Sequence, residues 1–512
     1  MREGSSPGSA IIAPRALRRS DLVPARSVAI PPPLRSLPAI PGLRALPTRD
    51  LGATTPFRRP ALTLVPPEPH DANDATEVMQ KLWFLDEELV PAPIAAPIVA
   101  PVIALPAPGG RISRALASSK LSHFHRLMFA ALIANVVLAF TLSLDLATLS
   151  QLALGNFAVA ICIRQHYVVN ALFWIATRVP TSWPLAIRRQ CAKVYHFGGI
   201  HVGGAIAGTA WFVAFAVSAL RDASSLPVAL LAVIVAQTIV LVAICVWSMP
   251  WIRAKHHDTF EIVKRLGGWT SIALLWPQTI LLGGTAELVV LGVITFSVAL
   301  PWLRLRKVPV ELVIPSSHVA LARFDYGVTP FAGSSTAISR SPLLEWHSFA
   351  NVPAPGQPGY RLTISRAGDW TGKLIDDRPS HLWVKGIPTA GVANIEVLFK
   401  RVVYVATGSG IGPCLPHLLA NKVPAKLIWA TRNARKTYGD ALVDEILVEH
   451  PDAMIWDTHE RGKPDMVQLA YQALVETGAE AVICISNKKL TWEVVSGLES
   501  RGIPAYGAIW DS

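Results

Sequence analysis

The sequence predicts an all-α membrane bundle of six helices followed by two soluble domains, an antiparallel β-barrel and an α/β domain with a parallel sheet. Three observations predict it. Mean hydropathy over the 512 residues is +0.39, far above what a soluble globular chain needs. Between residues 127 and 303, long apolar runs alternate with short basic loops. After residue 400, five strand-like runs alternate with helical stretches, and the first of them ends in ATGSGIGP.

Residues 1–118 are rich in Pro, Ala and Arg, with runs such as PPPLRSLPAIPGLRALP. Proline at that density removes backbone donors and forbids helices, so the expectation is a disordered or polyproline-like region. One island, ATEVMQKLWFLDEEL at residues 75–89, reads as a short amphipathic helix, either transient or a docking segment for a protein partner. The N-terminus lacks the charged-then-apolar order of a secretory signal; being Arg-rich and poor in acids, it leaves an organelle transit peptide open.

Residues 119–306 form the expected transmembrane domain, because about 20 apolar residues cross a bilayer. The six candidate spans are 127–147, 151–177, 194–219, 226–250, 267–284 and 286–303. Lys and Arg near span ends are retained in the cytoplasm. Arg111, Arg114, Lys120 and Arg126 precede the first span, and Arg178, Arg188, Arg189 and Lys193 separate the second from the third. Arg253, Lys255, Lys264 and Arg265 separate the fourth from the fifth, and Arg304, Arg306 and Lys307 follow the sixth. The other three loops carry only Arg221, so both termini face the cytoplasm of a multi-pass protein, most simply in the plasma membrane.

The net charge of +12 is spread over the N-terminal segment and the edges of apolar runs, which fits a lipid bilayer as partner and not a nucleic acid. In the third span, Gly199 with Gly203 and Gly204 with Gly208 are small-xxx-small pairs for close helix packing. Arg164 and His166 lie inside the second apolar run, where an ionisable group is costly and points to function or to local partners. The five cysteines show no metal-ligand spacing and read as reduced; no metal site is expected.

Residues 307–400 break into short alternating stretches with Gly and Pro turns, the pattern of a small antiparallel barrel. From 401 to 512 the runs RVVYVA, AKLIWAT, DAMIWD, AVICIS and AYGAIW give a parallel sheet that binds a nucleotide at its strand ends. A strand, a glycine turn and a helix start hold phosphates well, because the helix N-terminus presents unpaired N–H groups. Thr407, Gly408, Ser409, Gly410 and Gly412 are thus candidates for a pyrophosphate, with Pro413 suited to the first helical turn. The basic turn after the second strand offers Arg432, Arg435 or Lys436 to a 2′-phosphate, favouring NADPH over NADH; a solvated basic loop explains the same residues.

Five stretches carry a resemblance: EWHSFA at 345–350, GDWT at 368–371, VATGSGIGP at 405–413, DTHERGKPD at 457–465 and GAIWDS at 507–512. With a six-span bundle ahead of them, residues 120–512 resemble the ferric reductase and NADPH oxidase superfamily, with its ferredoxin-reductase-like FAD and NAD(P) domains. Within it, they are most similar to integral membrane proteins of the fungal TmpA type. The resemblance implies FAD as a cofactor, with Trp346, His347, Ser348 and Phe349 lining the isoalloxazine ring and His347 donating to a flavin oxygen or phosphate. It also implies a catalytic Cys484 near the nicotinamide, the alternative being a buried strand thiol. Ala350 departs from the hydroxyl residue of the family, and no R-x-Y-S motif is visible.

The family's two haems need histidine pairs 13 or 14 residues apart on two helices. Here the positions beyond His196 and His201 at that spacing are Thr209, Ala210, Ala214 and Phe215, so the two-haem ladder is missing. A single inner-leaflet haem would have to draw on His166, His196, His201, His256 and His257, and a haem-free site is preferred. The resulting expectation is a membrane flavoenzyme passing hydride from NAD(P)H through FAD to a small-molecule electron acceptor at the cytoplasmic side. The alternative is a non-catalytic nucleotide sensor or scaffold with a degenerate reductase fold. A transporter is disfavoured, since Asp145 and Glu287 lie at span ends.

Overall fold

The computed structural model describes residues 103–353 and 358–508, all within the compact unit Pro69–Ser512. The proline-rich tail, its helical island at 75–89 and the last residues of the GAIWDS stretch lie outside the described residues.

The helical region contains α1 (Arg111–Ala117), α2 (His123–Thr141), α3 (Leu146–Cys162), α4 (His166–Ala176), α5 (Leu185–Cys191), α6 (Gly198–Arg221), α7 (Val228–Trp247), α8 (Pro250–Lys255), α9 (His257–Leu282) and α10 (Thr285–Leu303). Among the described residues, four stretches are helical, long and apolar enough to cross a bilayer: α2, α6 with its lead-in from Leu185, α7 and α10. The fifth run differs from its expected bounds. Its helix, α9, starts at His257, and Asp258, Glu261, Lys264 and Arg265 make its first half polar. That extension reaches the soluble half, where Arg265 donates to Leu343 O at 3.2 Å.

The second run is not one straight span. It breaks at 163–165, and α3 and α4 meet at a bend of 67°. Gln165 causes the restart: its side-chain oxygen accepts from Tyr167 N at 2.5 Å and Val168 N at 3.3 Å, capping α4 as an Asn or Asp would. Arg164 therefore sits at the break, its guanidinium 5.8 Å from the Phe197 ring centroid, and His166 opens α4. Helix α4 then docks on the soluble half. Asn170 donates to Pro388 O and accepts from Ala390 N, both at 2.9 Å, while Val169 and Phe173 enter the core of the α/β domain.

Helix α6 is the centre of the bundle. Its two glycine pairs divide between neighbours: Gly199 and Gly203 lie against Phe124, Met128 and Ala131 of α2, and Gly204 and Gly208 against Asn156, Phe157 and Ala160 of α3. The small-residue faces thus pack inside the chain, as close backbone approach requires. Between the same helices, Asn135 and Asn156 exchange amide hydrogen bonds of 3.0 and 2.7 Å, and Trp211 Nε1 donates to Asn135 Oδ1 at 2.8 Å.

The barrel consists of two sheets. One is ordered β1 (Leu305–Pro309), β8 (His381–Lys385), β4 (Ser334–Ser339), β5 (His347–Ala350), with β9 (Thr389–Ala390) also paired to β4. The other is ordered β2 (Glu311–Ser316), β3 (Val319–Phe324), β7 (Tyr360–Ser365), β6 (Val352–Pro353). All these pairs are antiparallel, and helix α11 (Asp369–Asp377) packs Leu374 and Ile375 into the barrel core.

The last domain is a five-stranded parallel sheet ordered β12 (Met454–Asp457), β11 (Ala425–Thr431), β10 (Val402–Thr407), β13 (Ala481–Ile485), β14 (Ala505–Gly507). In chain order this is 3-2-1-4-5, so the strand order reverses between β10 and β13, where a doubly wound sheet opens a crevice. Its helices are α12 (Ile411–Ala420), α13 (Ala434–Tyr438), α14 (Asp440–Glu449), α15 (Met466–Thr477) and α16 (Lys488–Glu499).

The basic loop read as an orientation signal has a second use. Arg188 is buried and pairs with Glu480 at 2.6 and 3.1 Å while donating to Leu398 O at 2.8 Å; Lys193 meets Glu499 at 3.0 Å, and Arg189 donates to Gly502 O at 2.8 Å. The segment before α1 holds the same edge through Gly109 N to Ser500 O at 2.8 Å and Arg501 Nε to Pro106 O at 2.9 Å.

Candidate nucleotide-binding site

A cleft of about 700 Å³ opens at the carboxyl ends of β10, β11, β12 and β13. Thr407 and Gly408 leave β10 along one side, Thr431 and Arg432 follow β11, Lys463 follows β12, and Lys489 follows β13. The local geometry comes from the glycines. Gly408 has φ +48°, a left-handed conformation that a side chain would strain. At Gly410, a Cβ would lie 2.0 Å from Ile485 O, so only glycine lets the loop cross the end of β13. Thr407 and Ser486 join their hydroxyls across the same junction, and Trp429 Nε1 donates to Gly408 O at 3.0 Å.

The loop leads into α12, which is anchored from behind. Glu396, buried at 2 %, accepts from Tyr404 Oη and lies beside His417 Nδ1, both at 2.7 Å, tying the first strand to the last turn of α12. This fixes the start of α12 at the crevice. Ser409 is exposed, Gly410 and Gly412 are buried, and Pro413 stands in the first turn of α12; none of these four candidates is in the cleft lining.

Of the three candidates for a 2′-phosphate, Arg432 lines the cleft. Arg435 does not: Asp440 and Asp444 hold its guanidinium at 2.9 and 2.7 Å, so it clamps α13 to α14. Lys436 is exposed outside the cleft lining, its backbone N capped by Asn433 Oδ1 at 3.1 Å. Lys463, Lys489 and His318 of the β2–β3 turn, none of them a candidate from the sequence, also line the cleft. The signal for the two lysines was present in the rule that a parallel sheet binds ligands just beyond its strand ends.

The flavin candidates lie elsewhere, and each of their rings has a neighbour on one side. His347 and Phe349 project to one side of β5, and that side is covered by Trp370, whose ring stacks on His347 at a centroid distance of 4.0 Å and lies 6.3 Å from Phe349. Trp346 donates Nε1 to Pro342 O at 2.7 Å; Lys385 Nζ lies 4.3 Å from its ring centroid and Trp302 meets it edge-on at 6.0 Å. Ser348 is exposed, and Ala350 supplies no hydroxyl. Burial lowers the His347 pKa from its ordinary value, against the opposing pull of Glu345. As placed, His347 cannot offer to an isoalloxazine the face that Trp370 occupies. Trp370 Nε1 is buried there without a partner among the described residues.

Cys484 lies in the core between the sheet and α15 and α16, fully buried, and burial pushes its thiol up to about 12. A thiol so buried stays protonated at neutral pH, as the strand-thiol alternative has it. Of the histidines considered for haem, His166 opens α4 and the other four have separate neighbours. His196 packs on Tyr195 and His123 at 4.2 and 5.4 Å, His201 Nδ1 lies 2.8 Å from Ala160 O, and His256 and His257 approach Trp247 and Phe260 at 6.2 and 6.4 Å.

The family described as "Adenylate-forming reductase 03009, C-terminal domain" matches residues 392–512, the α/β domain and its lead-in. The chain is 43% identical over 428 residues to adenylate-forming reductase 06235 of Coprinopsis cinerea, and 42% identical over 428 residues to adenylate-forming reductase 03009 of the same fungus. Each match covers 79% of this chain and 41% of the relative. Among solved structures, the chain is similar to a ferredoxin NADP+ reductase from Neisseria gonorrhoeae with bound FAD and NADP, at 14% identity and a TM-score of 0.31, over 39% of this chain and 92% of that one. It is similar at the same score to a ferredoxin-NADP+ reductase mutant from Plasmodium falciparum in complex with 2′P-AMP, at 11% identity over 40% and 95% of the two chains. The chain thus spans less than half the length of the curated relatives it matches.

Proposed function

We propose that the chain is the reductase portion of a membrane-anchored, NADPH-consuming enzyme, with the dinucleotide bound in the crevice between β10 and β13. The observation that carries this reading is the cleft itself. A positive-φ glycine turn runs into a helix start, with Arg432, Lys463 and Lys489 around it and Glu493 as the one carboxylate in its lining. Backbone N–H groups at the start of α12 suit a pyrophosphate, and a guanidinium fork at Arg432 suits a 2′-phosphate. The name of the Coprinopsis relatives, adenylate-forming reductase, supports a reduction step for the part this chain shares with them.

The membrane part of the proposal rests on the apolar helices and on the placement of Arg188, Arg189 and Lys193, which dock the α/β domain at the basic ends of the bundle. With that domain at the positive ends, both described ends of the chain face the cytoplasm in the manner of a TmpA-type protein. NADPH bound in the cleft supplies a hydride and leaves as NADP+; the acceptor is a small molecule arriving from the cytosol or the inner leaflet.

A second reading is favoured by a specific observation: Trp370 occupies one face of His347 and Cys484 is buried, so the chain would bind the nucleotide without turning it over. Titration of the full chain with NADPH and NADH, followed by loss of reduced-nicotinamide absorbance with a soluble artificial acceptor, separates the two. Binding with turnover supports the reductase, binding without turnover supports the sensor, and absence of binding overturns both.

A further inference from the structure

The face of α4 opposite its docked side is apolar and exposed. Val169 and Phe173, one turn apart, enter the α/β core, and Asn170 beside them holds Pro388 and Ala390. On the other side Val168, Ala171 and Ile175 follow one another at helical spacing, flanked by Tyr167 and Trp174. All five are exposed, Trp174 to 58% and Ile175 to 61%. The pattern continues past the turn, where Trp183 and Ile187 are exposed while Arg188 reaches the other way to Glu480. A helix on the surface of a soluble domain carries polar residues on its outer face; here the outer face is apolar too.

Length decides how such a helix can meet a bilayer. Helix α3 has 17 residues, about 25 Å of helix, which is enough to cross a hydrocarbon core by itself. Helix α4 has 11, about 16 Å, too short to cross, and it turns away from α3 by 67°. Its start lies at the foot of α10, where the Arg304 guanidinium is 5.8 Å from the Tyr167 ring centroid. The outer face of α4 thus begins where two apolar helices end, on the side of the bundle that holds the α/β domain. Charge agrees with that position. Residues 163–193 carry Arg164, Arg178, Arg188, Arg189 and Lys193 and no Asp or Glu, and the exposed Arg178 lies 4.4 Å from the Trp174 ring centroid. Trp and Tyr on an apolar helix face with Arg at its rim is the composition of a helix seated among lipid headgroups.

We propose that α4 and the turn into α5 lie in the plane of the cytoplasmic leaflet, with Trp174 and Ile175 seated among anionic phospholipids, and do not complete a second span. The proposal rests on the membrane reading above. Arg178 stands at the level of the lipid phosphates, while the apolar face of α4 enters the layer beneath them. Because Val169 and Phe173 belong to the α/β core, one short helix meets the leaflet on one side and the nucleotide domain on the other.

The test places the photo-crosslinking residue p-benzoylphenylalanine singly at Ile133, Trp174 or Ile175 of the full chain, in nanodiscs of equal phosphatidylcholine and phosphatidylserine. Mass spectrometry reads what each position captures. Ile133, exposed in the middle of α2, reports the bilayer itself. It should capture both lipids equally, far along their acyl chains. Trp174 and Ile175 should capture lipid close to the glycerol, with phosphatidylserine favoured about fivefold, and Arg178→Gln should bring that ratio near one. Lipid at position 133 with only protein, or nothing, at 174 and 175 would overturn the proposal and leave the membrane reading standing. So would capture at 174 deep along the acyl chains, as a spanning helix gives, equal capture of the two lipids, or a preference that Arg178→Gln leaves intact. No lipid at any of the three positions would overturn the membrane reading and the proposal with it.

Discussion

The β10–β13 crevice and the β5 segment were read from the same kind of evidence, a short motif in the right order along the chain, yet the structure treats them differently. At the crevice, Thr407, Gly408 and Arg432 line an open cleft. At β5, Lys385 sits over Trp346, and Trp370 stacks on His347 and lies near Phe349. The first motif is a backbone device: its glycines are dictated by a positive φ and a close strand crossing, which only glycine satisfies. The second is a side-chain device, whose aromatic faces serve a ligand or a neighbouring ring equally well.

The largest effect that would break this contrast is at Gly410. Gly410→Val places a branched side chain on Ile485 O, and we expect a loss of about 3 kcal/mol in stability together with loss of nucleotide binding, measured by chemical denaturation and NADPH titration. Next in size, Arg432→Ala should weaken NADPH by about 10- to 100-fold and NADH little, read from the two dissociation constants. Arg435→Ala, which removes a clamp between α13 and α14, should instead lower the melting temperature and leave the NADPH/NADH ratio alone.

The β5 side of the contrast is sharpened by Trp370→Ala. Removing the indole uncovers His347 and Phe349, so added FAD should bind the variant several-fold tighter than wild type in a fluorescence-quenching titration. Tighter binding by wild type would mean that Trp370 serves the flavin and does not exclude it.

The smallest effect concerns Lys385. Its folded pKa, about 8, lies below the ordinary lysine value, so the unfolded chain binds more protons between the two and stability rises with pH across that window. Lys385→Gln should flatten the rise in denaturation free energy above pH 8.

What was legible in the sequence follows the same division. Alternating apolar and basic stretches placed the helices, and strand runs with their glycine loop placed the parallel sheet, because periodicity and φ restrictions are local properties. The break at 163–165 was not legible: an apolar run continues through it, and only Gln165 capping a new helix and Asn170 gripping the barrel stop the span. Arg435 and Lys463 show the limit at the site. Arg435 read as a free cation of the basic turn after the second strand, but Asp440 and Asp444 hold it, while Lys463 reaches the cleft only through a strand order fixed by distant pairings. Cys484 was readable as a strand residue, but which face of the sheet its thiol takes depends on the packing of α15 and α16.

Nicotinamide fluorescence of NADPH titrated with the full chain tests the central claim most directly. Wild type should give saturable enhancement that Gly410→Val abolishes and Arg432→Ala shifts to higher concentration. Equal enhancement by wild type and Gly410→Val, or none by either, would contradict the placement of the dinucleotide in the β10–β13 crevice.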